Sequence, residues 1–246
     1  MPAMAKGLPR LTIPFWSPAS RKRWQRYLRE TRRPLHSLLF LAPLVLLYEF
    51  RGVLTGSNPG LDPELLAHSV IQDLLGWFGF VGVWLPPLVF LGALGIAHRA
   101  RRDRLRVRWW CLPGMLVESL VLAIPLLATS ALFEPPPQMR PLEALGAGVY
   151  EELVFRMLLI SGLAWLMSEI VHVPAPPALG LAAVLGALLF ALCHFEPIGS
   201  ELPAWKPFWF KFAAGVYLSV LYIGRGLGVS AGSHAAYNLL LVWLRG

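Results

Sequence analysis

Apolar residues fall along this chain in long blocks, not at the three-to-four-residue spacing of an amphipathic surface helix. A bilayer-spanning helix needs about 20 predominantly apolar residues. Blocks on that scale predict helices over residues 35–50, 81–97, 109–133, 142–171, 178–194, 208–223 and 229–244. The segment 61–80 differs. It mixes Asp62, Glu64, His68, Gln72 and Asp73 with Leu, Val, Ile and Trp, an amphipathic pattern that predicts an interfacial or re-entrant helix. The predicted fold is therefore all-α, a polytopic transmembrane helical bundle of about seven spans plus that one interfacial or re-entrant helix. Prolines punctuate it: Pro135, Pro136 and Pro137 form a turn, and Pro174, Pro176 and Pro177 end the fourth block. A Gly-rich turn, Gly224 to Gly228, separates the last two spans.

Composition agrees with the pattern. The mean hydropathy is +0.57 and only 15% of residues are charged, against about 25% in soluble domains. We read residues 1–33 as a basic cytoplasmic segment without a cleavable signal, and 34–246 as one transmembrane domain whose first span is an uncleaved anchor. The charge distribution then sets the orientation. Nine Lys/Arg lie in residues 1–33, opposed only by Glu30, and six Arg lie in 98–108. Clusters flanking apolar segments mark cytoplasmic loops, so the N-terminus and the 98–108 loop are expected in the cytoplasm and the C-terminus outside. The net charge of +8 is thereby explained without nucleic acid, for which no motif is present. Attraction to anionic headgroups follows from it. Trp84, Trp109, Trp205, Trp209 and Trp243 fit interface belts. Cys111 and Cys193 imply no disulfide framework; both read as small packing residues, Cys193 despite its neighbour His194.

Against this background, Glu151 and Glu152 stand out. Carboxylates at membrane depth each cost about 2.5–3.5 kcal/mol on insertion scales, which makes them functional by default. On the same span lies Arg156; on the next, Phe190 and His194; on the last, His234 and Asn238. Four-residue spacing places each pair on one helix face. At about 100° per residue, Glu152 shares a face with Arg156, while Glu151 points away from Glu152. Glu152 is thus expected to pair with Arg156, and Glu151 to face both histidines. One chemistry is water activation by Glu151 and His194, with His234 and Asn238 holding the oxyanion of a tetrahedral intermediate. The alternative is Zn²⁺ held by Glu151, His194 and His234, a known catalytic donor set, although no His-Glu-x-x-His signature is present. Ser233 points to a different face from His234.

Three short motifs in order, Glu151-Glu152-x-x-x-Arg156, Phe190-x-x-x-His194 and His234-x-x-x-Asn238, resemble those of the CAAX-protease and bacteriocin-processing (CPBP or Abi) family of intramembrane endopeptidases. The resemblance covers about 142–246, the expected catalytic core. It implies an all-helical membrane fold with a water-accessible conical cavity. It also implies Glu151 and His194 as the water-activating residues, His234 and Asn238 as oxyanion donors, and Glu152, Arg156 and Phe190 in support. The expected protein is an intramembrane protease, glutamic-type or metal-dependent, in a bacterial inner (plasma) membrane. Its substrate is a membrane-anchored protein or peptide: CAAX-type, bacteriocin-like or a C-terminal sorting tail. The rival class is a proton- or ion-coupled transporter using the same Glu and His residues, but no paired halves of the transporter kind appear. Glu49 and Glu118 are expected at the cavity or an interface, and Glu169 with His172 as a local pair. Glu196 and Glu201 are expected in the loop after His194, as gating or solvated residues.

Overall fold

The computed structural model describes residues 18–56, 66–77, 79–80, 82, 84–102, 104–133, 139–195 and 204–245, and every regular element among them is helical. The Pro135–Pro137 turn, Glu196 and Glu201 lie outside the described residues. Helix α1 (Pro18–Thr31) occupies much of the basic N-terminal segment; α2 (Pro34–Glu49) and the short α3 (Arg51–Thr55) follow. The amphipathic segment yields α4 (Leu66–Gly76), 11 residues long. At 1.5 Å per residue it extends about 16 Å, far short of a span. Then come α5 (Leu85–Ala100) and α6 (Cys111–Phe133). The fourth apolar block is one continuous rod with an unforeseen interior: α7 (Pro141–Glu151), a π-helical segment (Glu152–Ile160), and α8 (Ser161–Glu169). Helices α9 (Ala175–Leu192), α10 (Trp205–Arg225) and α11 (Leu227–Arg245) complete the bundle.

Three helices, α6, α9 and α10, are long and apolar enough to cross a membrane, and α2 and α5 are shorter apolar helices. The exposed surface of α6 is apolar, with Leu116, Val117, Leu120, Val121 and Ile124 all turned outward. A water-soluble helix would carry polar residues there. Helix α11 has 19 residues but carries His234, Asn238 and two serines, Ser230 and Ser233. It lies at the centre, buried along most of its length, so its surroundings are protein and it needs no lipid-like exterior.

Small residues let these helices approach closely, as in membrane bundles generally. A Cβ on Gly148 of α7 would sit 2.3 Å from the Ala235 nitrogen of α11. One on Gly232 of α11 would sit 2.5 Å from Ser119 Oγ of α6 and 2.6 Å from the Phe40 ring of α2. Helix α11 is thus wedged between α6, α2 and α7, and its register is fixed on three sides.

Several expectations need correction. The prolines at 174–177 do not end the fourth span; they start α9, with Pro174 as its N-cap and a proline in its first turn, where the missing N–H is harmless. Helix α9 stops at Leu192, so His194 lies just beyond the C-cap Cys193. Of the two places expected for Glu118, its contacts put it at an interface, between helices. Its carboxylate accepts hydrogen bonds from Arg225 Nε at 2.5 Å, Arg225 Nη2 at 2.7 Å and the Tyr27 hydroxyl at 2.6 Å, tying α1 and α10 to α6. Glu49 accepts from the Tyr150 hydroxyl. Glu169 and His172 form no ion pair among the described residues. Both are exposed, and His172 has φ 61°, which breaks the helical spacing that would have joined them. Cys111 is buried, but Cys193 is only half-buried.

Candidate active site

The structure brings the motif residues of three rods to one place. Glu151 closes α7, His194 follows the end of α9, and His234 and Asn238 lie on one face of α11. Glu151 Oε2 is 4.0 Å from His194 Nε2 and 3.7 Å from His234 Nε2. Both separations exceed hydrogen-bond reach, and both are of the size that a bridging water spans.

Each imidazole is fixed from behind. His194 Nδ1 lies 2.7 Å from the Phe190 carbonyl oxygen. A carbonyl only accepts, so Nδ1 carries the proton and a neutral ring turns a lone pair at Nε2 toward Glu151. His234 Nδ1 lies 3.0 Å from Glu152 Oε1, and by the same reasoning donates to that carboxylate. The Phe190 ring packs edge-on against His194, with centroids 4.6 Å apart, and its centroid is 6.1 Å from that of His234. Phe190 is the apolar wall between the two.

Glu152 is the organising carboxylate. It lies fully buried, where an uncompensated charge is prohibitive. Arg156 Nη1 stands 3.0 Å from Oε1. This is a charge contact, since neither terminal nitrogen of Arg156 makes an aligned hydrogen bond among the described residues. The guanidinium also covers the face of Phe190, 4.3 Å from its centroid. Glu152 Oε2 accepts from Ser230 Oγ at 2.5 Å. The two glutamates point to different faces, as the helical angle requires, but His234 sits between them and contacts both.

Asn238 Nδ2 donates a long hydrogen bond, 3.4 Å, to the Ala144 carbonyl of α7, leaving its other N–H available. Ser233 is occupied: its hydroxyl donates to the Val229 carbonyl at 2.7 Å. Glu151, His194 and His234 carry zinc-type donors, yet the described residues include no group of three His, Cys, Asp or Glu placed to hold a metal ion.

Two participants were not singled out from the sequence. Ser230 is four residues before His234, on its face, and that spacing was the available signal. Lys211 is a buried cation on α10 whose charge acts on both Glu151 and His194. Its signal was being the one charged residue in the interior of the apolar α10 segment.

These features define a class: a glutamate–histidine cluster assembled from separate rods inside an apolar helical bundle. Residues 136–240 match the family described as type II CAAX prenyl endopeptidase Rce1-like. That region contains every residue of the three motifs. No curated protein and no solved structure matches the chain.

Proposed function

We propose that the protein is an integral-membrane endopeptidase of the Rce1-like kind, hydrolysing a peptide bond of a membrane-tethered protein or peptide. One observation carries this reading: a buried carboxylate, Glu151, within about 4 Å of two imidazole Nε2 atoms whose other nitrogens are already tied off. A water held between Glu151 and His194 gives up a proton to the carboxylate as its oxygen attacks the peptide carbonyl carbon. The negative charge then moves to the carbonyl oxygen, where His234 and Asn238 donate to it. With Nδ1 bonded to Glu152, His234 donates from Nε2 only when both ring nitrogens carry protons. Collapse of the intermediate breaks the C–N bond, and the proton taken from water passes to the leaving amine. Arg156, Phe190 and Ser230 act through the residues they hold.

The region 142–246 serves as catalytic core within a membrane domain of about seven spans, α7 and α11 being shielded from lipid along most of their length by their neighbours. The basic end faces the cytoplasm of a bacterial plasma membrane. The likeness to an endopeptidase family speaks for hydrolysis and against the carrier. The substrate classes are prenylated CAAX-type proteins, bacteriocin-like peptides and C-terminal sorting tails.

Terminal-peptide profiling of membranes holding wild type or Glu151→Ala tests the proposal and identifies the substrate. Peptide ends present only with wild type support it. Identical profiles, together with solute flux into wild-type proteoliposomes, refute it in favour of transport. Metal analysis and chelator treatment of purified protein separate the zinc chemistry from the metal-free one.

A further inference from the structure

At the basic end of the bundle lies a cleft that the proposed reaction does not use. It encloses about 770 Å³ beside α1 and the loop after α5. Six arginines line it, Arg29, Arg33, Arg102, Arg104, Arg106 and Arg108, with Glu30 the one acid among the described lining residues. Glu30 is already engaged, accepting from Arg33 and from Arg108 at 2.9 Å each. The guanidinium groups of Arg29, Arg102, Arg104 and Arg106 have no acidic partner among the described residues.

The loop is held in place by its backbone. Arg33 donates to the Arg104 and Arg106 carbonyls, Arg101 Nη1 donates to the Arg32 carbonyl at 2.7 Å, and the Arg108 amide donates to His36 Nε2 at 3.1 Å. Arg102 has φ 50°, a strained setting for a residue with a Cβ, of the kind that persists where surroundings impose it and clusters at ligand clamps. Like charges gathered in a fixed concavity repel one another and favour an anion, and guanidinium forks match phosphate oxygens. The cleft adjoins the start of α6, where Trp109 and Trp110 are exposed, as at a membrane–water boundary.

We propose that this cleft binds the phosphate headgroup of an anionic phospholipid. The lipid bridges α1 and the arginines at 102, 104, 106 and 108 and anchors the basic end of the bundle at the membrane surface. Phosphate is the shared chemistry of lipid and soluble anions, and the position at the membrane boundary assigns the lipid.

Native mass spectrometry of the full chain in mixed micelles, with phosphatidylglycerol or phosphatidylcholine added, tests this. Retention of one phosphatidylglycerol, not displaced by millimolar inorganic phosphate, is expected. Each arginine near an anionic surface contributes about fivefold, so R102Q/R104Q/R106Q weakens retention about a hundredfold. The substitutions leave the carbonyls that staple the loop intact. Arg29→Gln, on the preformed α1, is a second variant expected to weaken it about fivefold. R21Q/R23Q/R26Q removes as much charge from exposed positions that do not line the cleft, with at most about a threefold effect. Equal losses in both triple variants, no preference over phosphatidylcholine, or displacement by inorganic phosphate would each overturn the proposal.

Discussion

Gly148 makes one of the two tightest approaches among the described glycines, the one that meets backbone, and Gly148→Ala probes it. The added Cβ would lie 2.3 Å from the Ala235 nitrogen and 2.4 Å from its Cα, where ordinary contact begins at 3.4 Å. The obstacle is backbone and cannot rotate aside, so α7 and α11 must part by 3.4 less 2.3, about 1.1 Å. Gly148 is three residues from Glu151, and Ala235 adjoins His234. Carried to the site, that movement stretches the Glu152–His234 hydrogen bond from 3.0 Å to about 4.1 Å, beyond hydrogen-bond reach. Overpacking strain costs about 1–3 kcal/mol, which lowers Tm while leaving the helical content intact. A misplacement of about 1 Å costs about a hundredfold in rate. The assay is kcat/KM in nanodiscs on the substrate found by profiling, alongside Tm. Gly162→Ala, where a Cβ meets nothing within 4 Å, is the control expected to leave both unchanged. Wild-type kcat/KM and Tm in Gly148→Ala would refute the coupling of this contact to the site.

Glu151→Gln is expected to reduce cleavage by about 10²–10⁴-fold with a far smaller change in Tm; retained cleavage would remove Glu151 from the chemistry. Arg156→Ala leaves Glu152 buried without its guanidinium and is expected to destabilise by about 3–5 kcal/mol, read as a fall in Tm. Adding Glu152→Gln should recover much of that Tm but not cleavage, because His234 still lacks its carboxylate. Burial alone would raise the pKa of Glu30, but the hydrogen bond from Arg33 and the charges of Arg108 and Arg33 outweigh it and hold the carboxyl below its ordinary value. A depressed folded-state value contributes stability above the unfolded pKa, about 4.3, and that stability is lost as pH falls through the folded value. Protease nicking of α1 should therefore rise on acidification below about pH 4.3 in wild type, and show no such pH dependence in Glu30→Gln.

The site was more legible in the sequence than the fold's boundaries. Costly charges in apolar blocks are conspicuous, and four-residue spacing predicted the Glu152–Arg156 pair and the shared face of His234 and Asn238. Residues that complete the cluster carried weaker signals. A serine such as Ser230 is unremarkable in a membrane helix, and its contact with Glu152 depends on how two rods meet. The three-residue shift at the start of α9 reflects a proline that serves equally well to end one helix or begin the next. Hydropathy marked 229–244 as a span, but it carried no sign that other helices enclose α11. The π-helical segment left no periodic trace, because one extra residue in a turn disturbs the apolar pattern too little.

That segment makes chain length part of the site. A π turn corresponds to a residue inserted into an α-helix, so the span after Glu151 carries a surplus in its reading frame. Removing one codon within 152–160 would let an ordinary α ladder form, and the rod on either side would keep its orientation, because the lost residue is the one the π turn had absorbed. Leu158 is 42% exposed on the outside of the rod, and by composition alone it is dispensable. Leu158→Ala should be tolerated, and deletion of the same residue should leave α8 facing as it does now. The same loss within α7, which holds no surplus residue, would turn what precedes it by about 100° relative to Glu151 and is expected to act as a null allele.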